Sequence, residues 1–154
     1  MKWILLAALV LSACAAGPAV AGKNTEGFGL GLMAGEPSGL AWKAWTGKRT
    51  AIDGGVAWST KDDGGIAAHM DYLWHVHDMR MTERSILPFY YGIGVRYRDR
   101  DNQNDNFGVR IPLGLAYLFG NSAFDVFFEI VPVIDLAPDQ EFSANVVVGG
   151  RYFF

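Results

Sequence analysis

The sequence lacks several features that would point to common protein classes. Its single cysteine, Cys14, excludes a disulfide within the chain. After the N-terminus, no segment approaches the roughly 18 consecutive apolar residues of a transmembrane helix. Basic residues are in deficit, with 13 Lys and Arg against 16 Asp and Glu and a formal net charge of −3. This balance argues against nucleic acid as a partner.

The N-terminus has the pattern of an export signal. Lys2 precedes an apolar run over residues 3–11, and Ala19-Val20-Ala21 fits a small-x-small cleavage site. We therefore expect a signal peptide over residues 1–21 and one domain over residues 22–154. A competing cleavage stays open, because Leu11-Ser12-Ala13-Cys14 is similar to a bacterial lipobox, in which Cys14 would be lipidated.

Strict alternation of side chains dominates the rest of the chain, and it is clearest at the C-terminus. Phe142, Val146, Val148, Tyr152 and Phe154 share one face of an extended segment that ends with the chain. This period of two is that of a β-strand. We predict eight such strands, at residues 26–35, 39–46, 50–59, 65–76, 88–98, 107–119, 124–136 and 142–154, joined by turns rich in Gly, Pro, Asp and Asn.

The two faces of these strands differ in chemistry. In the fourth strand, for example, Met70, Tyr72 and Trp74 alternate with His69 and Asp71. A lipid-facing Arg or Lys at the midplane of a membrane costs about 2–4 kcal/mol, so the apolar face is expected to meet lipid and the charged face the lumen. The sequence thus predicts an all-β fold, an eight-stranded antiparallel up-and-down transmembrane β-barrel with a polar, filled lumen.

Counting back from the turns gives a predicted network of lumen charges. Lys43 is expected opposite Asp53, and Asp53 opposite Asp71. Asp125 is expected opposite Arg151. Since buried charges are costly unless paired, these contacts should be ion pairs or hydrogen bonds. The full predicted network is Lys43, Asp53, His69, Asp71, Arg96, Arg110, Asp125, Glu129 and Arg151.

Two arginines of this network pose a pairing problem. The turn count places Arg96 opposite Arg110 across the polar loop at residues 99–106. Two buried guanidinium groups need an acid between them. Glu129 in the seventh strand is the predicted acid.

With these features, residues 26–154 resemble the small eight-stranded outer-membrane barrels of the OmpA transmembrane-domain type. Gly149, Tyr152 and Phe154 resemble the C-terminal assembly signal of that class, although Val147 stands where a polar residue is usual. The resemblance implies a Gram-negative outer-membrane location with both termini periplasmic. It also implies a monomer, and contact with outer-membrane lipids, lipopolysaccharide and the barrel-assembly machinery. The connection at residues 77–87 is long for a periplasmic turn.

Function is less constrained than fold. A structural, envelope-integrity or surface-interaction role without enzymatic activity is the first expectation, and we expect neither cofactor nor metal. A lipid A-modifying enzyme and a narrow pore stay open as alternatives. The enzyme would need a nucleophile beside a base, yet no serine lies two residues from His69, His75 or His77. A metal site at His75, His77 and Asp78, with His69 and Asp71, is a weak alternative because a stable zinc site needs three or four ligands.

Overall fold

A computed structural model describes residues 26–36, 38–58, 65–76, 80–82, 85–99, 104–119 and 122–154. The predicted signal peptide, Cys14, His77 and Asp78 lie outside these residues. The strands in chain order are β1 (Phe28–Gly35), β2 (Ser38–Trp45), β3 (Thr50–Trp58), β4 (Ile66–Val76), β5 (Arg80–Thr82), β6 (Ser85–Ile86), β7 (Phe89–Arg98), β8 (Asn106–Arg110), β9 (Leu113–Phe119), β10 (Phe124–Ala137) and β11 (Glu141–Phe153). In the described part of the chain, no helix is long and apolar enough to cross a membrane.

The strands form a closed antiparallel barrel. Neighbours in the wall are neighbours in sequence, and β11 pairs with both β10 and β1. The wall has eight strands if β8 and β9, which follow one another, are counted as one. β5 and β6 form a small hairpin outside this ring, and β6 pairs with the end of β9. The predicted fold class and up-and-down topology are confirmed, and every predicted strand lies within two residues of its observed bounds.

The predicted sixth strand, residues 107–119, is interrupted where the sequence places Pro112. Proline has no N–H for the ladder, so it separates β8 from β9. The wall stays closed because neighbouring groups still bond there. Gly92 N–H donates to Pro112 O at 2.9 Å, and Ile111 N–H donates to Pro132 O at 2.9 Å.

The barrel closes with a stagger that sets its width. Starting at Gly31 and following paired residues around the wall leads to Glu141 in β11, through Ala41, Gly55, His69, Arg96, Gly108 and Asp135. Gly31 itself pairs with Arg151, ten residues further along β11. A stagger of this kind tilts the strands by about 35–45° and leaves a lumen that side chains can fill.

We call the end of the barrel where β1 begins and β11 ends the terminal rim. The opposite end, which carries the β1–β2 and β10–β11 turns, is the hairpin rim.

Candidate functional site: the charged lumen

The charged side chains that are buried in the described part of the lumen lie in close pairs and small groups. Arg151 is the centre of the group nearest the terminal rim. Its Nε and Nη2 donate to the two carboxylate oxygens of Asp125 at 3.1 and 3.0 Å, and its Nη1 lies 3.5 Å from Asp53 Oδ2. The guanidinium also stacks over the Phe127 ring, with 4.1 Å from Cζ to the ring centroid. Such a two-pronged pair is the strong form of a buried ion pair.

A second group surrounds Arg110, further from the terminal rim. Arg110 Nε lies 3.0 Å from Asp71 Oδ1, and Nη2 lies 3.7 Å from Glu129 Oε2. The hydroxyl of Tyr90 donates to Glu129 Oε1 at 2.7 Å. The four side chains are buried. Glu129 therefore links an arginine to a tyrosine that the sequence reasoning did not assign to the network.

Arg96 forms a third group with a partner that the sequence prediction missed. Its Nη2 donates to both carboxylate oxygens of Asp135 at 2.7 Å. Asp135 lies on the inward face of β10 at an even spacing from Asp125 and Glu129, so the period-two pattern alone could have included it.

The predicted position of Arg96 opposite Arg110 is wrong. In the observed register Arg96 lies opposite Gly108, and Arg110 lies opposite Gly94, a displacement of two residues that preserves the inward face of each side chain. The physical reason lies in the glycines. A Cβ at Gly94 would meet the Asp71 carboxylate, and one at Gly108 would meet the Asp135 carboxylate. Arg110 therefore lies opposite the space at Gly94 that the Asp71 carboxylate fills. Arg96 lies opposite the space at Gly108 that the Asp135 carboxylate fills. Glu129 partners Arg110 as predicted, but Arg96 pairs with Asp135 instead.

The predicted row of Lys43, Asp53 and Asp71 exists in the backbone register, but the side chains diverge. Asp53 and Asp71 turn to Arg151 and Arg110. Lys43 is fully buried, and its Nζ lies 2.7 Å from His75 Nε2 and within 4.5 Å of the Trp45 ring centroid. His75 was a weak candidate for a catalytic base or a metal ligand; in the structure it is part of the lumen packing near the terminal rim.

His69 lies on the inward side of β4, beside a cavity of about 10 Å³ that Asp53, Arg110, Asn145 and Arg151 also line. That is about the size of one water molecule. No group of three or more His, Cys, Asp or Glu within the described ranges has the arrangement of a metal site. The described lumen is thus filled with side chains rather than open.

The residues of the predicted assembly signal lie at the terminal rim. Tyr152 and Phe154 are exposed on the outer face, and their rings pack edge to face with centroids 5.3 Å apart. Gly149 lies on the inner face, where an added Cβ would meet the Phe127 ring. The position is consistent with a signal read from outside the barrel, and the role itself stays a prediction.

Known structures include a similar barrel. The chain superposes on the N-terminal β-barrel domain of OprF from Pseudomonas aeruginosa with a TM-score of 0.55 and 12% sequence identity, covering 81% of this chain and 95% of that one. No family model matches the sequence, and no curated protein matches it. The likeness therefore concerns the fold alone: like that domain, this chain folds as an antiparallel β-barrel.

Proposed function

We propose that the protein is an integral barrel of the bacterial outer membrane with a structural, envelope-integrity or surface-interaction role and no enzymatic activity. One observation carries the proposal. The outer face of every wall strand exposes large apolar side chains, whereas the charged side chains of those strands are buried inside, except Arg98 and Glu141 at strand ends on the hairpin rim. Such an apolar exterior on a closed barrel, which has no unpaired edge in hydrocarbon, fits a membrane and would be unfavourable in water.

The resemblance to the small outer-membrane barrels implies an orientation. In this proposal both termini are periplasmic and the hairpin rim faces outward. Aromatic side chains cluster on the outer face near the terminal rim, among them Trp74, Tyr91, Phe119, Tyr152 and Phe154. Aromatic girdles of this kind lie at membrane interfaces. The protein would contact outer-membrane lipids and lipopolysaccharide along its wall, and the barrel-assembly machinery would insert it as a monomer.

The filled lumen supports a structural role over a pore. Arg110, Arg151, Tyr90, Lys43 and Phe153 are fully buried there, and the cavity beside His69 measures only about 10 Å³. Nothing observed in the described lumen favours the lipid A-modifying enzyme either. Within that part, His75 Nε2 lies 2.7 Å from Lys43 Nζ, and its Nδ1 lies 3.3 Å from the Arg49 carbonyl oxygen.

Folding in detergent tests the proposal. The exported protein should remain aggregated in water and fold in detergent or lipid, and the unheated protein should migrate anomalously on a denaturing gel because the closed barrel resists the detergent. Recovery of a monodisperse, water-soluble monomer without detergent would contradict it. Assays on labelled lipid A and conductance across a planar bilayer test the two alternatives, and both are expected to be negative.

A further inference from the structure

The wall is uneven in height at the hairpin rim. β1 and β2 have eight residues each, whereas β10 has fourteen and β11 thirteen. With a rise of about 3.3 Å per residue and a tilt of about 40°, these pairs span roughly 20 Å and roughly 34 Å along the barrel axis. The β10–β11 hairpin therefore stands higher than the β1–β2 hairpin beside it.

This difference leaves part of β11 with a free edge. β1 accompanies β11 only as far as Gly35, opposite Val147, and the last bond between them is Glu36 N–H to Val146 O at 3.2 Å. Before Val146, residues 141–145 pair with β10 alone, since no other described strand lies against their second side. Among the described strands, the barrel is thus closed from Val146 to the terminal rim and has an open edge from Val146 toward the hairpin rim.

The backbone groups that face this edge can be identified. Along β11, Val146 and Phe154 bond toward β1, and Phe153 bonds toward the β10 side. Because backbone groups alternate in direction along a strand, Phe142 and Ala144 also direct their N–H and C=O groups toward the free edge. Unpaired edges of this kind are templates for another strand.

The side chains around the edge have a matching alternation. Phe142, on the outer face, is 71% exposed, the highest value among the large apolar side chains of the described residues. On the inner face, Ser143 Oγ and Asn145 Nδ2 are buried atoms without a hydrogen-bond partner among the described residues. A strand added here would therefore meet an apolar surface with one set of side chains and two unsatisfied polar groups with the other.

The negative charge of the β10–β11 hairpin favours an added strand that carries basic residues. Residues 137–141, which form the β10–β11 turn and the start of β11, include Asp139 and Glu141 and no basic residue. Both acids are exposed. An approaching peptide would be attracted if it carried lysine or arginine.

We propose that the free edge of β11 at Phe142 and Ala144 docks an extended peptide segment of another polypeptide, with alternating apolar and basic residues, by addition of a strand. Four main-chain groups would supply the hydrogen bonds. Apolar side chains of the segment would contact Phe142, and basic ones would donate to Ser143 Oγ, whereas Asn145 Nδ2, itself a donor, would take an acceptor of the segment. The inference rests on the proposed function only for the accessibility of this rim at the cell surface.

Amide hydrogen exchange on the folded protein in detergent tests it. The probe is a short synthetic peptide of alternating lysine and valine. The amides of Phe142 and Ala144 should exchange rapidly in the free protein and become protected when the peptide is added, while the amide of Val148, which is paired with β1, should not change. The same peptide with N-methylated backbone amides should bind about tenfold more weakly or worse, because it cannot complete the ladder.

Variants at one residue provide a matched comparison. Ala144→Pro removes an N–H that points to the free edge and leaves the ladder with β10 intact, since proline is tolerated at strand edges. It should weaken peptide binding about tenfold, whereas Ala144→Val should bind as the wild type does. Should Ala144→Pro fail to fold, the exchange measurement on the wild type still decides.

Several results would overturn the inference. They are protection of both amides in the free protein, no protection with the peptide, and equal binding by Ala144→Pro. Protection by lipopolysaccharide micelles but not by the peptide would identify a lipid occupant and also overturn it. Any of these in a protein that still folds and migrates as a barrel would leave the proposed function standing, whereas failure to fold in detergent would remove that function.

Discussion

The outer and inner faces of the wall use the same strands and opposite chemistry. In β11, Val146, Val148 and Tyr152 are 51%, 48% and 53% exposed, whereas their neighbours Val147 and Arg151 are 4% and 1% exposed. The outer face needs only apolar character, because lipid accommodates many shapes. The inner face needs specific partners, because a buried charge without one is very costly. The effect of a substitution on the outer face should therefore depend on whether the new side chain is apolar. On the inner face it should depend on whether a buried charge keeps its partner.

The largest effect is expected inside, at the Asp125–Arg151 pair. Asp125→Ala or Arg151→Ala leaves the other charge buried without its partner, which typically costs about 3–5 kcal/mol. The double variant should be less destabilised than the sum of the two, because the lost interaction is shared. Thermal unfolding in detergent measures all three variants. Strictly additive losses would show that the two side chains do not interact.

The next largest effect is expected on the outer face, and two adjacent residues of β11 allow the two faces to be compared directly. Val148→Arg places a charge on the lipid-facing side and should cost about 2–4 kcal/mol and impair insertion. Val147→Asn adds a polar group to the already polar lumen and should insert nearly as well as the wild type. Folding yield into lipid vesicles measures the difference. Equal tolerance of both substitutions would contradict the assignment of the faces.

A smaller effect is expected from one hydroxyl of the lumen. Tyr90→Phe removes the donor to Glu129 and should lower stability by about 1–3 kcal/mol, as hydrogen bonds to buried charged groups do. Tyr91→Phe is the control on the outer face, where Tyr91 is exposed, and it should change little. The same unfolding midpoint in detergent for both variants would show that the buried hydroxyl of Tyr90 contributes no more to stability than the exposed hydroxyl of Tyr91.

The smallest effect is expected at a polar contact outside the lumen. The Tyr97 hydroxyl donates to Asp105 Oδ2 at 2.6 Å at an exposed position near the hairpin rim. Exposed substitutions usually change stability by no more than about 0.5 kcal/mol. Tyr97→Phe should therefore unfold within that range of the wild type in detergent. A loss of stability as large as that of Tyr90→Phe would show that an exposed hydrogen bond stabilises this protein as much as a buried one.

The alternation of side chains was sufficient to predict the strands and their faces, because a period of two assigns each residue to one side of the wall. Turn positions were sufficient for three pairs, so Lys43 and Asp53, Asp53 and Asp71, and Asp125 and Arg151 occupy the predicted registers. The predicted register was wrong for the hairpin before β8, where Arg110 and Arg96 lie opposite Gly94 and Gly108. Loop length does not explain the difference, because the β3–β4 connection is as long as the one before β8.

By itself, the sequence determined the eight wall strands, the inward charges and the apolar exterior, since each follows from local alternation along one strand. Only the tertiary structure decided which charges meet across the lumen, between strands that are not neighbours in the wall. Arg96 with Asp135 and Lys43 with His75 join residues far apart in sequence, and the ten-residue stagger of the closed barrel brings Asp53 near Arg151. The stagger and the unequal strand lengths are properties of the whole ring, so no single strand pattern contains them.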